Sequence, residues 1–190
     1  MGNSDSTPIG LDKPEPLMEE AQRNISMGFH DAAVVKYRRA YELLKEAGLG
    51  AGAARALRLA AETGLLGSGP DYELAARAFE EVGVLSLKNE LTAFSAASAF
   101  ANAVFCMLAG GRATTAREKF EEFKVLDSRF AAHYEGVAVK VLLEVFALGN
   151  KNQMRDLCLS YRETAAAAPA AAASPGAWRE ALFKRILERL

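Results

Sequence analysis

From Pro16 onward, apolar residues recur three to four positions apart, which is the spacing of a helix, and strand-like alternation is absent. Glycines interrupt this pattern, for example at Gly28, Gly48 and Gly149. A glycine after a helix supplies the left-handed residue that ends it. The pattern predicts an all-α chain with helices over 16–27, 30–47, 51–64, 71–83, 89–109, 112–124, 130–148, 150–164 and 175–190.

A pattern of side-chain sizes recurs in three of these predicted helices, at intervals of 42 and 41 residues. Each copy has a small residue, an aromatic residue four positions later, and a small or apolar residue three positions after that. The small side chain lets two helices approach, and the aromatic ring fills the groove beyond it. The copies are Ala33-Tyr37-Ala40, Ala75-Phe79-Val82 and Ala116-Phe120-Phe123. They predict a tetratricopeptide-like solenoid of antiparallel helical hairpins; an alanine-rich bundle with chance triplets is the alternative.

Composition divides the chain into four segments. Residues 1–15 are poor in apolar side chains and are predicted to be a flexible arm, and residues 16–164 hold the helical-repeat solenoid. Residues 165–176 are rich in Ala and Pro and predict a linker, because proline interrupts a helix. Residues 177–190 form a C-terminal capping helix, and we expect Trp178 to anchor it to the preceding helical pair.

Charge and hydrophobicity exclude several classes of protein. The 23 Lys and Arg residues balance 24 Asp and Glu, so we expect no nucleic-acid partner held by bulk charge. The hydrophobic share of 51% is enough for a folded core, but no run of 18 apolar residues predicts a transmembrane helix. No secretory signal opens the sequence, and its two cysteines cannot build a disulfide framework, which favours a cytoplasmic protein.

The polar residues form no recognisable catalytic pattern. His30 and His133 lack metal-ligand neighbours in the sequence, and Cys106 and Cys158 lie among apolar residues typical of a helix core. The glycine-rich segment 64–70 lacks the Lys-Ser/Thr ending of a phosphate-binding loop. Adjacent glutamates on a helix point about 100° apart and are expected to be solvated. We therefore expect neither an enzyme nor a cofactor or metal site.

Several segments together resemble the soluble NSF attachment proteins, adaptors that link SNARE complexes to the disassembly ATPase NSF. The first is the aromatic-Glu-x-Val-Gly pattern at 79–83, followed by a long helix containing Ser, Ala, Phe and Cys. The segment AREKFEEF at 116–123, with Asp-Ser-Arg at 127–129, is similar to the next helix of that family. Residues 141–163 and the region 178–186 resemble the family's last helices. The resemblance identifies the chain as a short member, or as the C-terminal two-thirds of one.

The resemblance implies a non-enzymatic adaptor that binds SNARE complexes for NSF-driven disassembly in vesicle transport. It places basic residues against SNAREs on a concave face. Arg58 and Arg129 occupy such positions, whereas Ala54 and Ala97 stand where the family pattern has lysine. The family's acidic C-terminal tail, which engages NSF, has no counterpart before Leu190. The thinned basic surface leaves open an alternative, a generic helical-repeat scaffold at a membrane that has lost the SNARE and NSF role.

The first six residues match M-G-x-x-x-[ST], the pattern for myristoylation of Gly2 after removal of Met1. Such short patterns also arise by chance or as a cloning remnant. Acylated Gly2 would give a peripheral contact with the cytoplasmic face of a membrane, in place of the family's apolar membrane loop. One myristoyl chain binds membranes only marginally, so a second contact would be needed.

Overall fold

The computed structural model describes residues 13–167 and 176–190. Within these ranges the regular structure is entirely helical, without strands, which confirms the all-α prediction. Two short 3₁₀ turns, Ala93–Ser95 and Phe130–Ala132, precede the fifth and seventh helices. The helices are α1 (Pro14–Ser26), α2 (His30–Glu46), α3 (Gly50–Gly64), α4 (Tyr72–Leu87), α5 (Ala96–Ala109), α6 (Ala113–Leu126), α7 (Tyr134–Leu148), α8 (Lys151–Ala167) and α9 (Ala177–Arg189).

Successive helices from α1 to α8 pack against one another as neighbours joined by short connections. The three copies of the repeated pattern lie on α2, α4 and α6, and all nine of their side chains are buried. The aromatic members Tyr37, Phe79 and Phe120 are 1%, 0% and 6% exposed. The same side-chain sizes therefore fill the same place in successive hairpins, which confirms the predicted solenoid.

Helix α5 forms the centre of the core. Every residue of this helix except Ser98 is buried, and the helix packs against α4, α6, α7 and α9. Phe100 stacks on Phe123 of α6 with ring centroids 4.4 Å apart, and Phe105 meets Tyr161 of α8 edge-on at 5.2 Å. A helix that is apolar on all sides must be covered on all sides, so α5 fixes the positions of the helices around it.

Helix α4 continues past Gly83, where we predicted its end, to Leu87. Gly83 is buried within the helix, and a Cβ atom there would lie 2.3 Å from Cε1 of Phe100 on α5. The glycine therefore lets α4 and α5 approach closely and does not end the helix. The predicted boundary was wrong because a packing glycine and a capping glycine look alike in sequence.

Helices α5 and α7 begin later than predicted, at Ala96 and Tyr134 rather than at 89 and 130. Before α5, the Asn89 side chain accepts a hydrogen bond from the backbone N–H of Leu91 at 2.9 Å. A short polar side chain that bonds to nearby backbone in this way competes with helix formation. The connections between hairpins are therefore longer here than the apolar spacing predicted.

The helices extend into both segments that we predicted to be irregular. Helix α1 begins at Pro14, inside the predicted arm 1–15, because proline suits the first turn of a helix. Residues 1–12 of that arm lie outside the described residues. Helix α8 runs to Ala167, into the predicted linker 165–176, because alanine has the highest helix propensity. Residues 168–175 of the linker also lie outside the described residues.

The last helix docks on the centre of the core. Trp178 is buried and stacks on Phe79 of α4 with ring centroids 5.5 Å apart. Leu182, Phe183 and Ile186 are buried as well, and α9 packs mainly against α5, with a smaller contact to α8. Burial of Trp178 is as expected, but its expected partner was wrong. The chain returns to α5 because that helix needs an apolar neighbour on every side.

Candidate partner-binding surface

Arg58 lies on an exposed part of α3, where a carboxylate holds its guanidinium. Its Nη1 donates a hydrogen bond to Oε1 of Glu62, one turn later, at 2.9 Å. The Glu62 side chain is only 18% exposed, and burial raises its pKa while the charge of Arg58 acts to lower it. In the free protein Arg58 therefore compensates a poorly solvated carboxylate. A partner's carboxylate would have to share that contact or replace it.

Arg129 lies between α6 and α7, immediately before the second 3₁₀ turn, and its side chain is 67% exposed. Its Nε and Nη2 donate to Oδ1 and Oδ2 of Asp127 at 2.9 Å and 3.3 Å. These hydrogen bonds hold the pKa of Asp127, which is buried, below its usual range. The fork-shaped contact orients the guanidinium and leaves much of its surface open to a partner.

The structure does not bring the two predicted arginines together. Arg58 is on α3, which packs against α2 and α4, whereas Arg129 adjoins the 3₁₀ turn that packs against α6 and α7. Ala54 and Ala97, the positions that the resemblance would fill with lysine, are buried at 6% and 4% exposure. The two arginines are therefore separate points of positive charge, and the two alanines add nothing to the exposed surface.

A third arginine, which our sequence analysis missed, joins the last helix to the core. Arg179 donates from Nη2 to Oδ1 of Asn102 on α5 at 3.1 Å. Its guanidinium lies 4.9 Å from the ring centre of Trp178 and 5.7 Å from that of Tyr161. It also acts against the burial that raises the pKa of Glu62. The sequence signal was Asn102 itself, the only amide side chain in α5, because a buried amide requires a polar partner.

Both cysteines are packed in the core, and both histidines lie at the starts of helices. Cys106 and Cys158 are buried, and burial raises the pKa of both thiols, that of Cys158 to about 12, so both stay protonated at neutral pH. His30 begins α2, and His133 precedes α7. Within residues 13–167 and 176–190, no group of three or more His, Cys, Asp or Glu side chains is arranged to hold a metal ion.

Gly2, the predicted acylation site, lies outside the described residues, so its modification stays a prediction. None of the helices that the structure describes combines the length and the apolar character needed to cross a bilayer.

Most of the chain matches one known protein family. Residues 17–169 match the family described as "Soluble NSF attachment protein, SNAP". This range extends from α1 through α8 and includes Arg58, Arg129 and the three repeated patterns. The chain is also 30% identical over 105 residues to the "Probable vesicular-fusion protein sec17 homolog" of Schizosaccharomyces pombe. That alignment covers 55% of this chain and 35% of the relative, so it spans about a third of the relative's length.

Proposed function

Because this chain belongs to the soluble NSF attachment protein family, we propose that it is an adaptor that binds SNARE complexes for disassembly by an NSF-type ATPase. The match over residues 17–169, which spans the repeated hairpins, carries this proposal. The name of the Schizosaccharomyces pombe relative, a vesicular-fusion protein, supports the same process. In this proposal the chain has no catalytic activity of its own and acts in the cytoplasm, where SNAREs meet the ATPase.

The proposed binding is electrostatic and distributed over the solenoid. Arg58 and Arg129 are exposed cations that the resemblance would place against SNAREs, but each already has a carboxylate partner in its own chain. A SNARE carboxylate could therefore contact only the part of each guanidinium that remains exposed to solvent. Interactions between exposed charges are weak and are screened by salt. Successive hairpins would compensate by providing many weak contacts along one long surface, with no deep pocket.

Reversing both charges, with Arg58→Glu and Arg129→Glu in one chain, is expected to slow association with an assembled SNARE bundle about tenfold at low salt, because electrostatic attraction raises association rates. The association rate should also depend less on salt concentration. Rapid-mixing kinetics at two salt concentrations measure both effects.

The matched control for this experiment is Arg23→Glu, which reverses one charge at an exposed position of α1. Arg58→Gln with Arg129→Gln is measured in parallel, because a new glutamate beside Glu62 would strain α3. Circular dichroism shows whether each variant keeps its helices. If the folded double variants associate at the rate of the parent chain, these arginines are not the SNARE contacts.

A helical-repeat scaffold at a membrane, without a SNARE or NSF role, is the second candidate function. It is favoured by the burial of Ala54 and Ala97 and by the pairing of both arginines within the chain. A pull-down with an assembled SNARE bundle, with and without NSF, separates the two functions. The adaptor would retain the bundle and recruit NSF to it, whereas the scaffold would retain neither.

We further propose that Gly2 is myristoylated and holds the protein at membranes that carry its partners. The pattern at residues 1–6 supports this proposal. A single acyl chain contributes about 0.8 kcal/mol per buried methylene and gives only reversible binding, so a second contact is required. Met27 and Phe29, each 59% exposed at the turn between α1 and α2, would supply apolar contact near the same end of the chain. Anchoring would raise the effective concentration of SNAREs around the solenoid.

Gly2→Ala is expected to release the protein from membranes, because it removes the acceptor for the acyl group and leaves the folded helices unchanged. In fractionated cells, the parent chain should divide between membrane and soluble fractions, and the variant should be soluble. Ser4→Ala, which keeps the acceptor glycine, is the control. Equal partitioning of parent and Gly2→Ala chains would contradict acylation, and a mass spectrum of the native N-terminus provides an independent check.

A further inference from the structure

Helices α6 and α7 enclose a groove that the sequence analysis did not identify. Its volume is about 420 Å³, and it is partly open to solvent. Phe120 of α6, Leu143 of α7 and Ala131 of the intervening 3₁₀ turn supply its apolar lining. Phe120 and Leu143 are recessed, each 6% exposed, beneath a space large enough for several side chains of another molecule.

Exposed apolar side chains extend this lining at the margins of the groove. Val125 follows the groove residue Glu121 by one turn of α6 and is 86% exposed. Val137 and Leu148 lie one turn before and one turn after the groove residues of α7, and they are 48% and 76% exposed. Each lies three or four positions from a charged residue of the lining rather than in line with Phe120 or Leu143, so these side chains are separate exposed apolar points at the margins of the groove. Exposed apolar side chains beside a groove are found at interaction surfaces.

The groove also carries positive charge on both of its walls. Arg117 on α6 and Lys140 on α7 line it, both are exposed, and within the described ranges neither makes an ion pair. The third cation, Lys124, pairs with Glu121 and lies 5.3 Å from the ring centre of Phe120. Glu144 is the remaining carboxylate of the lining. With three cations and two carboxylates, the lining has a net charge of +1 and therefore favours an anionic partner on its apolar floor.

We propose that this groove binds an amphipathic helix of a partner protein, with an apolar stripe facing Phe120 and Leu143 and carboxylates on either side of the stripe facing Arg117 and Lys140. Helices α6 and α7 have 14 and 15 residues. A partner helix of about 14 residues, roughly 21 Å long, matches them in length. A helix seated between two helices follows the helix-in-groove mode of recognition. A bilayer is a poorer occupant, because it would meet the exposed side chains at the margins but would not reach Phe120 and Leu143, which are each only 6% exposed.

The experiment uses the full chain and a fluorescein-labelled 14-residue helical peptide with leucines at positions i, i+3, i+4 and i+7 and glutamates flanking them. Fluorescence anisotropy should show saturable binding. Arg117→Glu with Lys140→Glu should raise the dissociation constant about tenfold or more, since reversed charges on both walls oppose the glutamates. Arg23→Glu on α1 should bind like the parent chain, and a peptide with lysines in place of its glutamates should bind more weakly to the parent.

A second variant tests the groove itself without changing its charge. Ala131→Trp adds an indole at an exposed position of the lining and should weaken peptide binding by filling the space. No saturable binding by the parent chain, or parent-like binding by both groove variants, would overturn the proposal. Loss of binding to phosphatidylcholine/phosphatidylserine vesicles in the variants, with peptide binding unchanged, would identify a membrane contact instead and also overturn it. Self-association of the parent chain that both variants abolish would assign the groove to a second copy.

This inference does not depend on the proposed adaptor function. The groove variants keep Arg58 and Arg129, and the reversal of those arginines keeps the groove. Peptide binding that is lost only in the groove variants, together with SNARE association that is lost only in the Arg58 and Arg129 variant, separates the two surfaces. Failure of either proposal therefore leaves the other one testable.

Discussion

Replacing Phe79 with alanine is expected to lower the free energy of unfolding by about 3–5 kcal/mol. Removal of a fully buried aromatic ring loses the free energy of burying it and also leaves a cavity. Phe79 is 0% exposed and is the aromatic member of the second repeated pattern. Its ring also stacks on Trp178, so the substitution removes one contact that holds α9 to the core. Denaturant unfolding monitored by circular dichroism measures the change.

The same residue type at an exposed position provides the control for this prediction. Phe94, in the 3₁₀ turn before α5, is 69% exposed, and Phe94→Ala should change stability by less than about 0.5 kcal/mol. The difference between the two variants then reports burial rather than the loss of a phenyl ring as such. A loss below about 1 kcal/mol for Phe79→Ala would mean that the repeated pattern does not mark the core.

The repeat predicted the core because it depends on local spacing. A small residue followed four positions later by an aromatic one defines a helix face, and that face is buried in α2, α4 and α6. The same local spacing could not predict the end of α4. The role of Gly83 is set by Phe100, which reaches it from another helix, and no feature within α4 signals that approach. Helix phase was therefore predictable from sequence, whereas helix boundaries at tertiary contacts were not.

The candidate site divides in the same way. Arg58 and Glu62 are four residues apart on one helix, so their ion pair follows from helical geometry and was available from the sequence. The contact between Arg179 and Asn102 joins residues 77 positions apart and required the fold. The groove between α6 and α7 could not be predicted from the sequence either, because the local sequence of neither helix determines the distance between the two.

Replacing Trp178 with alanine is expected to release α9 from the core. The Trp178 ring stacks on Phe79, and the guanidinium of Arg179 lies over the face of the same ring. Trp178 is also at the start of a helix that follows the Ala/Pro segment. Loss of this buried indole should lower the free energy of unfolding by about 3–5 kcal/mol. Trypsin should then cleave within α9 at Arg179, Lys184 or Arg185 much sooner than in the parent chain, because a docked helix is protected from proteolysis.

The effect should extend beyond α9, because this helix covers one side of α5. Phe183 of α9 packs edge-on against Phe105 of α5 with ring centroids 5.4 Å apart, and Leu182 and Ile186 are fully buried beside it. Release of α9 should therefore expose apolar surface on the central helix and lower the melting temperature of the remaining solenoid. Trp178→Phe, which keeps an aromatic ring against Phe79, should retain most of the protection. Trypsin resistance in Trp178→Ala equal to that of the parent would show that the remaining apolar contacts hold α9 without the indole.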